Sequence, residues 1–268
     1  MVAIHCNRYC SCTSCSNQDP KYLGYAWSND PNAIKYLAIA RLLCGLGVTA
    51  FAIWSWVDLS HSEDFENGTE NDFGLTAIQI TNWGVTLVFS YFLAASLGVW
   101  PALKSSPGTI RDISIYSSIA LFVTSLCFEM VITILSWAAF NVSSLSGPSL
   151  GSFITKHAVL LLLLLIDLSV SRLPTPLHTL AWPVGLYLIY VFAAGMYAIG
   201  EGKGPYEMLN GKAGETVGAV FIAFAIILIT FVALFYITKV KTRSMKILPS
   251  QEIVSTSSLP TQGIMSSS

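Results

Sequence analysis

Six stretches of this chain are apolar for long enough to cross a lipid bilayer, and that repetition limits the fold more than any single motif. They lie near residues 36–57, 76–100, 113–138, 154–171, 180–199 and 217–238. About 20 apolar residues in a helix are needed to span the hydrocarbon core. Inside lipid every backbone N–H and C=O must be satisfied within the segment, so each run reads as a helix. Only 11% of the residues are charged, where a soluble domain carries about 25%. The expected fold is therefore an all-α polytopic membrane bundle of six transmembrane helices. Residues 1–35 form a Cys-rich cytosolic segment, 36–238 the membrane domain, and 239–268 a Ser-, Thr- and Pro-rich tail expected to be disordered. No signal peptide is visible before the first run, so the first span is expected to act as its own insertion signal. A net charge of −1 argues against a nucleic-acid partner.

Orientation follows from the basic residues. Arg8, Lys21 and Lys35 precede the first span, Lys104 and Arg111 sit in the second loop, Arg172 in the fourth, and Lys239, Lys241, Arg243 and Lys246 follow the last span. The first loop has no Lys or Arg but carries Asp58, Glu63, Asp64, Glu66, Glu70 and Asp72. Positive charge stays on the cytosolic side, so both termini are expected there, with only Lys203 and Lys212 running against the pattern. The two Asn-x-Ser/Thr sequons, at Asn67 and Asn141, both fall in loops that this topology places outside, and are the candidate glycosylation sites.

Polar residues inside the spans are the next constraint, because an acid at membrane depth costs about 2.5–3.5 kcal/mol unless it faces protein, water or a partner. The fourth run, KHAVLLLLLLIDLSVSR, carries His157 near one end and Asp167 near the other. Ten residues separate them, about 15 Å along a helix and about 80° around it, so they cannot touch. They are either hydrogen-bonded residues of a packed helix or parts of a site. Glu129 sits mid-way along the third span, with Ser118, Ser125, Thr133 and Ser136 on its face. That stripe is expected to face the interior or a cavity, either as a protonated acid bonded to hydroxyls or as part of a functional path. Arg41 in the first span is expected to snorkel to the cytosolic interface. Tyr187, Tyr190 and Tyr197 of the fifth span share nearly one face and read as packing residues. Cys44 and Cys127 read as small core residues.

Four cysteines, Cys6, Cys10, Cys12 and Cys15, crowd ahead of the first span. Cys12 and Cys15 have half a zinc spacing, which His5, Cys6 and Cys10 could complete, but no second well-spaced pair follows and no metal site is expected. Acylation of these juxtamembrane thiols is the preferred reading, with plain reduced thiols as the alternative. No cofactor is expected.

The second span reads TAIQITNWGVTLVFSYFLAASLGVW. Gln79, Asn82, Thr86 and Ser90 form one polar face, while Thr81 lies among Ala77, Gly84, Val85 and Val88, small residues that let another helix approach. The Thr81-Asn82-Trp83-Gly84 element, then His157 with Asp167 and SRLP at 171–174, then Trp182-Pro183 and the tyrosines resemble the rolling stone family over roughly residues 75–215. That family is named for an insect membrane protein implicated in myoblast fusion. It is similar in turn to the androgen-induced family of multi-pass hydrolases, which cleave fatty acid esters of hydroxy fatty acids with an intramembrane threonine and a histidine. Carried over residue by residue, the resemblance implies Thr81 as nucleophile and His157 as its partner. The asparagine that commonly follows the histidine in these families is absent, residues 158–160 reading Ala-Val-Leu. Both spans descend from the outer side, with Thr81 and His157 at comparable depths.

Three functions therefore compete. One is a cell-surface protein of the rolling stone type, with membrane lipids and surface proteins as partners, in the plasma membrane or endoplasmic reticulum. Another is a lipid ester hydrolase using Thr81 and His157. The third is a transporter or proton relay built on Glu129 and Asp167, against which no inverted repeat or pair of broken helices is visible.

Overall fold

The computed structural model describes residues 31–60, 79–102, 109–139, 151, 153–171, 173–201 and 213–247. The four N-terminal cysteines and the sequons at Asn67 and Asn141 lie outside the described residues, as does the tail beyond Ile247. The elements are α1 (Pro31–Ser60), α2 (Ile80–Ala102), α3 (Thr109–Ala139), a π-helical turn (Thr155–Val159) leading into α4 (Leu160–Val170), a 3₁₀ turn (Leu177–Leu180), α5 (Ala181–Glu201) and α6 (Ala213–Ile247). α6 takes in the first residues of the expected tail.

Five of these stretches are long and apolar enough to cross a membrane: Lys35–Trp54, Ile80–Gly98, Ile113–Ala138, Leu177–Gly200 and Thr216–Lys241. The fourth expected span is not among them. A π turn, in which Leu160 N–H reaches back to the Thr155 carbonyl, interrupts the α-helical ladder there, and α4 proper has 11 residues. It ends where Ser171 turns to extended backbone (φ −89°, ψ 163°), ahead of Pro174 and Pro176, which cannot continue a helix. Phe192, Ile199, Phe221 and Ile229 are each more than two-thirds exposed. Large apolar side chains displayed so widely belong in hydrocarbon rather than water.

α3 is the centre of the bundle: 72% of its span is buried, against 22–44% for the other four. Its buried positions Ile115, Ser118, Phe122, Ser125, Glu129 and Ile132 alternate three and four residues apart. α2 answers with Gly84, Val88, Tyr91, Ala95 and Gly98 at the same alternation. Two contacts fix the register. Gly84 lies against Glu129 and Ile132, and the Tyr91 and Phe122 rings are 5.1 Å apart, seven residues on in α2 and seven back in α3. The pair is thus an antiparallel heptad seam. α1 packs on α2 through Ala38, Arg41, Gly45 and Val48, and a Cβ at Gly45 would already be 3.4 Å from Phe92 Cβ. α5 and α6 cover the remaining sides of α3, with Tyr187 Oη donating to the Val220 carbonyl at 2.8 Å and Cys127 Sγ facing the Ile227 carbonyl.

Candidate functional site

The first buried polar group is built around Asp167, at the end of α4. Arg41 Nε donates to Oδ1 at 3.0 Å and Nη2 to Oδ2 at 3.1 Å, the parallel fork that suits a carboxylate. Tyr91 Oη donates to Oδ2 as well. Arg41 is 1% exposed, Asp167 5% and Tyr91 0%. Arg41 therefore does not snorkel, because its interfacial alternative would leave Asp167 buried as an unpaired charge, a cost of several kcal/mol. One step toward the chain end, Lys241 of α6 donates to the carbonyls of Leu168, Ser169 and Ser171 at 2.5, 2.8 and 2.6 Å. Those groups lie at the C-terminus of α4, where orphan carbonyls and the helix dipole favour a cation. Thr175 and Thr238 hydrogen-bond to each other beside it.

The second group lies on α3. Glu129 is completely buried, and neither carboxylate oxygen has a hydrogen-bond partner among the described residues. The Ser125 and Thr133 hydroxyls, one turn before and one turn after it, are likewise buried without partners. The polar stripe expected on this helix thus does face the interior. Gly84 makes room for the acid, since a Cβ there would come within 2.5 Å of Glu129 Oε1. The small face of α2, expected to let another helix approach, is thus filled by α3. On the opposite polar face, Asn82 is buried, whereas Thr86 is exposed and returns its hydroxyl to the Asn82 carbonyl at 2.9 Å.

His157 sits in the π turn, which packs against both α2 and α3. Its backbone carbonyl accepts from Trp137 Nε1 at 3.4 Å, and its ring lies 4.5 Å from that of Phe153. The ring is buried, and Nδ1 has no hydrogen-bond partner among the described residues. Thr81 is half-buried in the first turn of α2, flanked by Asn82 and by Trp83, whose ring meets Tyr190 of α5 edge-on at 5.6 Å. Nδ1 of His157 is not bonded to the Thr81 hydroxyl.

No family model matches the chain, and no curated protein or solved structure matches it.

Of the four intramembrane residues singled out from the sequence, the fold separates the two acids. Asp167 is held by Arg41 and Tyr91, while Glu129 lies, with Ile132, against Gly84. His157 and Thr81 are carried by neighbouring elements. Arg41, Tyr91 and Lys241 are the polar partners that sequence reasoning missed. One signal was available for Arg41: a span holding a lone cation and another holding a lone anion are expected to pair. Among the described residues no cluster of His, Cys, Asp or Glu is suited to hold a metal.

Proposed function

We propose that this chain is a six-span integral membrane protein of the rolling stone type, with both termini cytosolic. It acts at the plasma membrane or endoplasmic reticulum, in cell fusion or a related membrane process, and its chemistry is hydrolysis of a lipid ester by Thr81 and His157. The sixth span is the helical run of residues 153–170, π turn included, which at about 1.5 Å per residue is roughly 27 Å long. That is close to the hydrocarbon thickness of about 30 Å. The basic-residue asymmetry supports the orientation.

The observation that carries the chemistry is His157, a buried imidazole with an uncommitted ring nitrogen, in a π turn packed against the helix whose first turn holds Thr81. Such π insertions concentrate at functional sites. A threonine hydroxyl is a weak nucleophile and needs an adjacent base. In the acylation step Thr81 Oγ1 attacks the ester carbonyl while His157 takes its proton. The alkoxide then leaves with that proton as an alcohol, and the acyl group stays on Thr81. Water attacks the acyl-threonine in the second step, again giving its proton to His157, which returns it to Oγ1 as the fatty acid departs.

Labelling of membranes with a fluorophosphonate probe tests this reading. Wild type is expected to label, and Thr81→Ala and His157→Ala are not. Equal labelling of folded variants, or none of the wild type, overturns it.

A further inference from the structure

Helical hydroxyls buried in an apolar bundle ordinarily turn back to the carbonyl one turn earlier. This bundle follows that habit at Ser96, Ser118 and Thr124, which donate to the carbonyls of Phe92, Ser114 and Ala120 at 2.7, 2.6 and 2.7 Å. Ser125 and Thr133 break it, and they are the two hydroxyls that flank Glu129. Three consecutive turns of one α3 face thus carry buried oxygens with no partner. One turn beyond Thr133, Trp137 reaches the π turn of His157, whose Nδ1 is also without one.

Each such group costs about 1–3 kcal/mol if left unsatisfied, so a run of them calls for an occupant. A single cation does not fit. Ser125 and Thr133 lie about 12 Å apart along the helix, whereas two oxygens bound to one cation at about 2.3–2.6 Å are at most about 5 Å apart. Among the described residues, an ionised Glu129 also has no cation bonded to its carboxylate. Among the described side chains, the titratable and charged groups on the elements packed against α3 are Tyr91 of α2, Lys156 and His157 of the π turn, Asp167 of α4, His178 of the 3₁₀ turn, Tyr187, Tyr190 and Tyr197 of α5, and Tyr236, Lys239 and Lys241 of α6. Asp167 is committed to Arg41 and Tyr91, Lys241 to the end of α4, and Lys239 lies 5.6 Å over the Phe235 ring. Tyr187 is committed to the Val220 carbonyl.

We propose that Glu129 is a proton-binding site, a neutral carboxylic acid solvated by a short file of buried water that runs past Ser125 and Thr133 and ends at His157. Water satisfies the geometry because each molecule makes about three hydrogen bonds and spans the gap between turns. The proton moves from hydronium, or from the imidazolium of His157, onto a Glu129 oxygen, leaving water or neutral imidazole; nothing is oxidised or reduced. This site does not depend on ester hydrolysis at Thr81.

Infrared difference spectroscopy of the full chain in lipid nanodiscs tests it. At neutral pH the wild type is expected to show a protonated-carboxyl stretch that shifts in D₂O, is lost in Glu129→Gln, and moves in the near-isosteric variants Ser125→Ala and Thr133→Val. Absence of the band in folded wild type overturns the proposal, as does a band that survives in Glu129→Gln or ignores D₂O. Should Glu129→Gln not fold, the hydroxyl variants decide: a shift in either supports the site, and an unmoved band in both overturns it.

Discussion

Removing the carboxylate of Asp167 is expected to be far more damaging than removing the whole ion pair. In Asp167→Ala the guanidinium of Arg41, 1% exposed and forked onto that carboxylate, stays buried and loses both of those charge-assisted bonds. Stranding one partner of a buried pair costs about 3–5 kcal/mol. Loss of the Tyr91 hydrogen bond comes with it, and Tyr91→Phe alone is expected to cost about 1.5–3 kcal/mol, the range for bonds to charged groups. At roughly 2–4 °C per kcal/mol for a large domain, Asp167→Ala melts roughly 6–20 °C below wild type. The double variant Arg41→Met/Asp167→Leu removes both charges and keeps the volume, and is expected to be neutral or up to about 4 kcal/mol more stable. Thermal melts of the purified protein in one detergent, read as a double-mutant cycle, measure all of this. A single variant costing under about 1 kcal/mol, or a double variant as unstable as the singles, would refute the reasoning, because the charge would then have found water or another partner.

Further outcomes follow from the same contacts. Gly84→Ala drives a Cβ to 2.5 Å from both Glu129 Oε1 and Ile132 Cδ1, and is expected to destabilise by about 1–3 kcal/mol in the same melts, with partial rescue by Ile132→Val. Lys241→Met strips the donor from three carbonyls at the end of α4, and faster amide exchange around residues 168–171 is expected, with little change at the opposite end of the bundle. Acyl–resin capture of wild type is expected, and of a variant with Cys6, Cys10, Cys12 and Cys15 all changed to serine it is not. A C-terminal tag is expected to be digested by protease in sealed microsomes, with Asn67 glycosylated.

Sequence reasoning reached the helical class, five of the spans and the inward stripe of α3, because long apolar runs and i, i+4 spacing are local signals. It failed where the answer is a choice between partners distant in the chain. Arg41 and Asp167 are 126 residues apart, and nothing local distinguishes a snorkelling arginine from a paired one. The small face around Gly84 was legible, but which helix would fill it depended on Glu129 needing that space. The π turn was invisible for a different reason. It covers Thr155–Val159, just ahead of the leucines of α4, and an unbroken leucine run has no phase in which an extra residue upstream could show.

The most direct measurement is the covalent intermediate itself. Purified protein in nanodiscs, incubated with a slowly hydrolysed fatty acid ester, quenched in acid and digested, is expected to yield by mass spectrometry an acyl group on the peptide containing Thr81, and none from His157→Ala. An acyl group on another residue, or no adduct from folded wild type while ester turnover proceeds, would contradict Thr81 as the nucleophile.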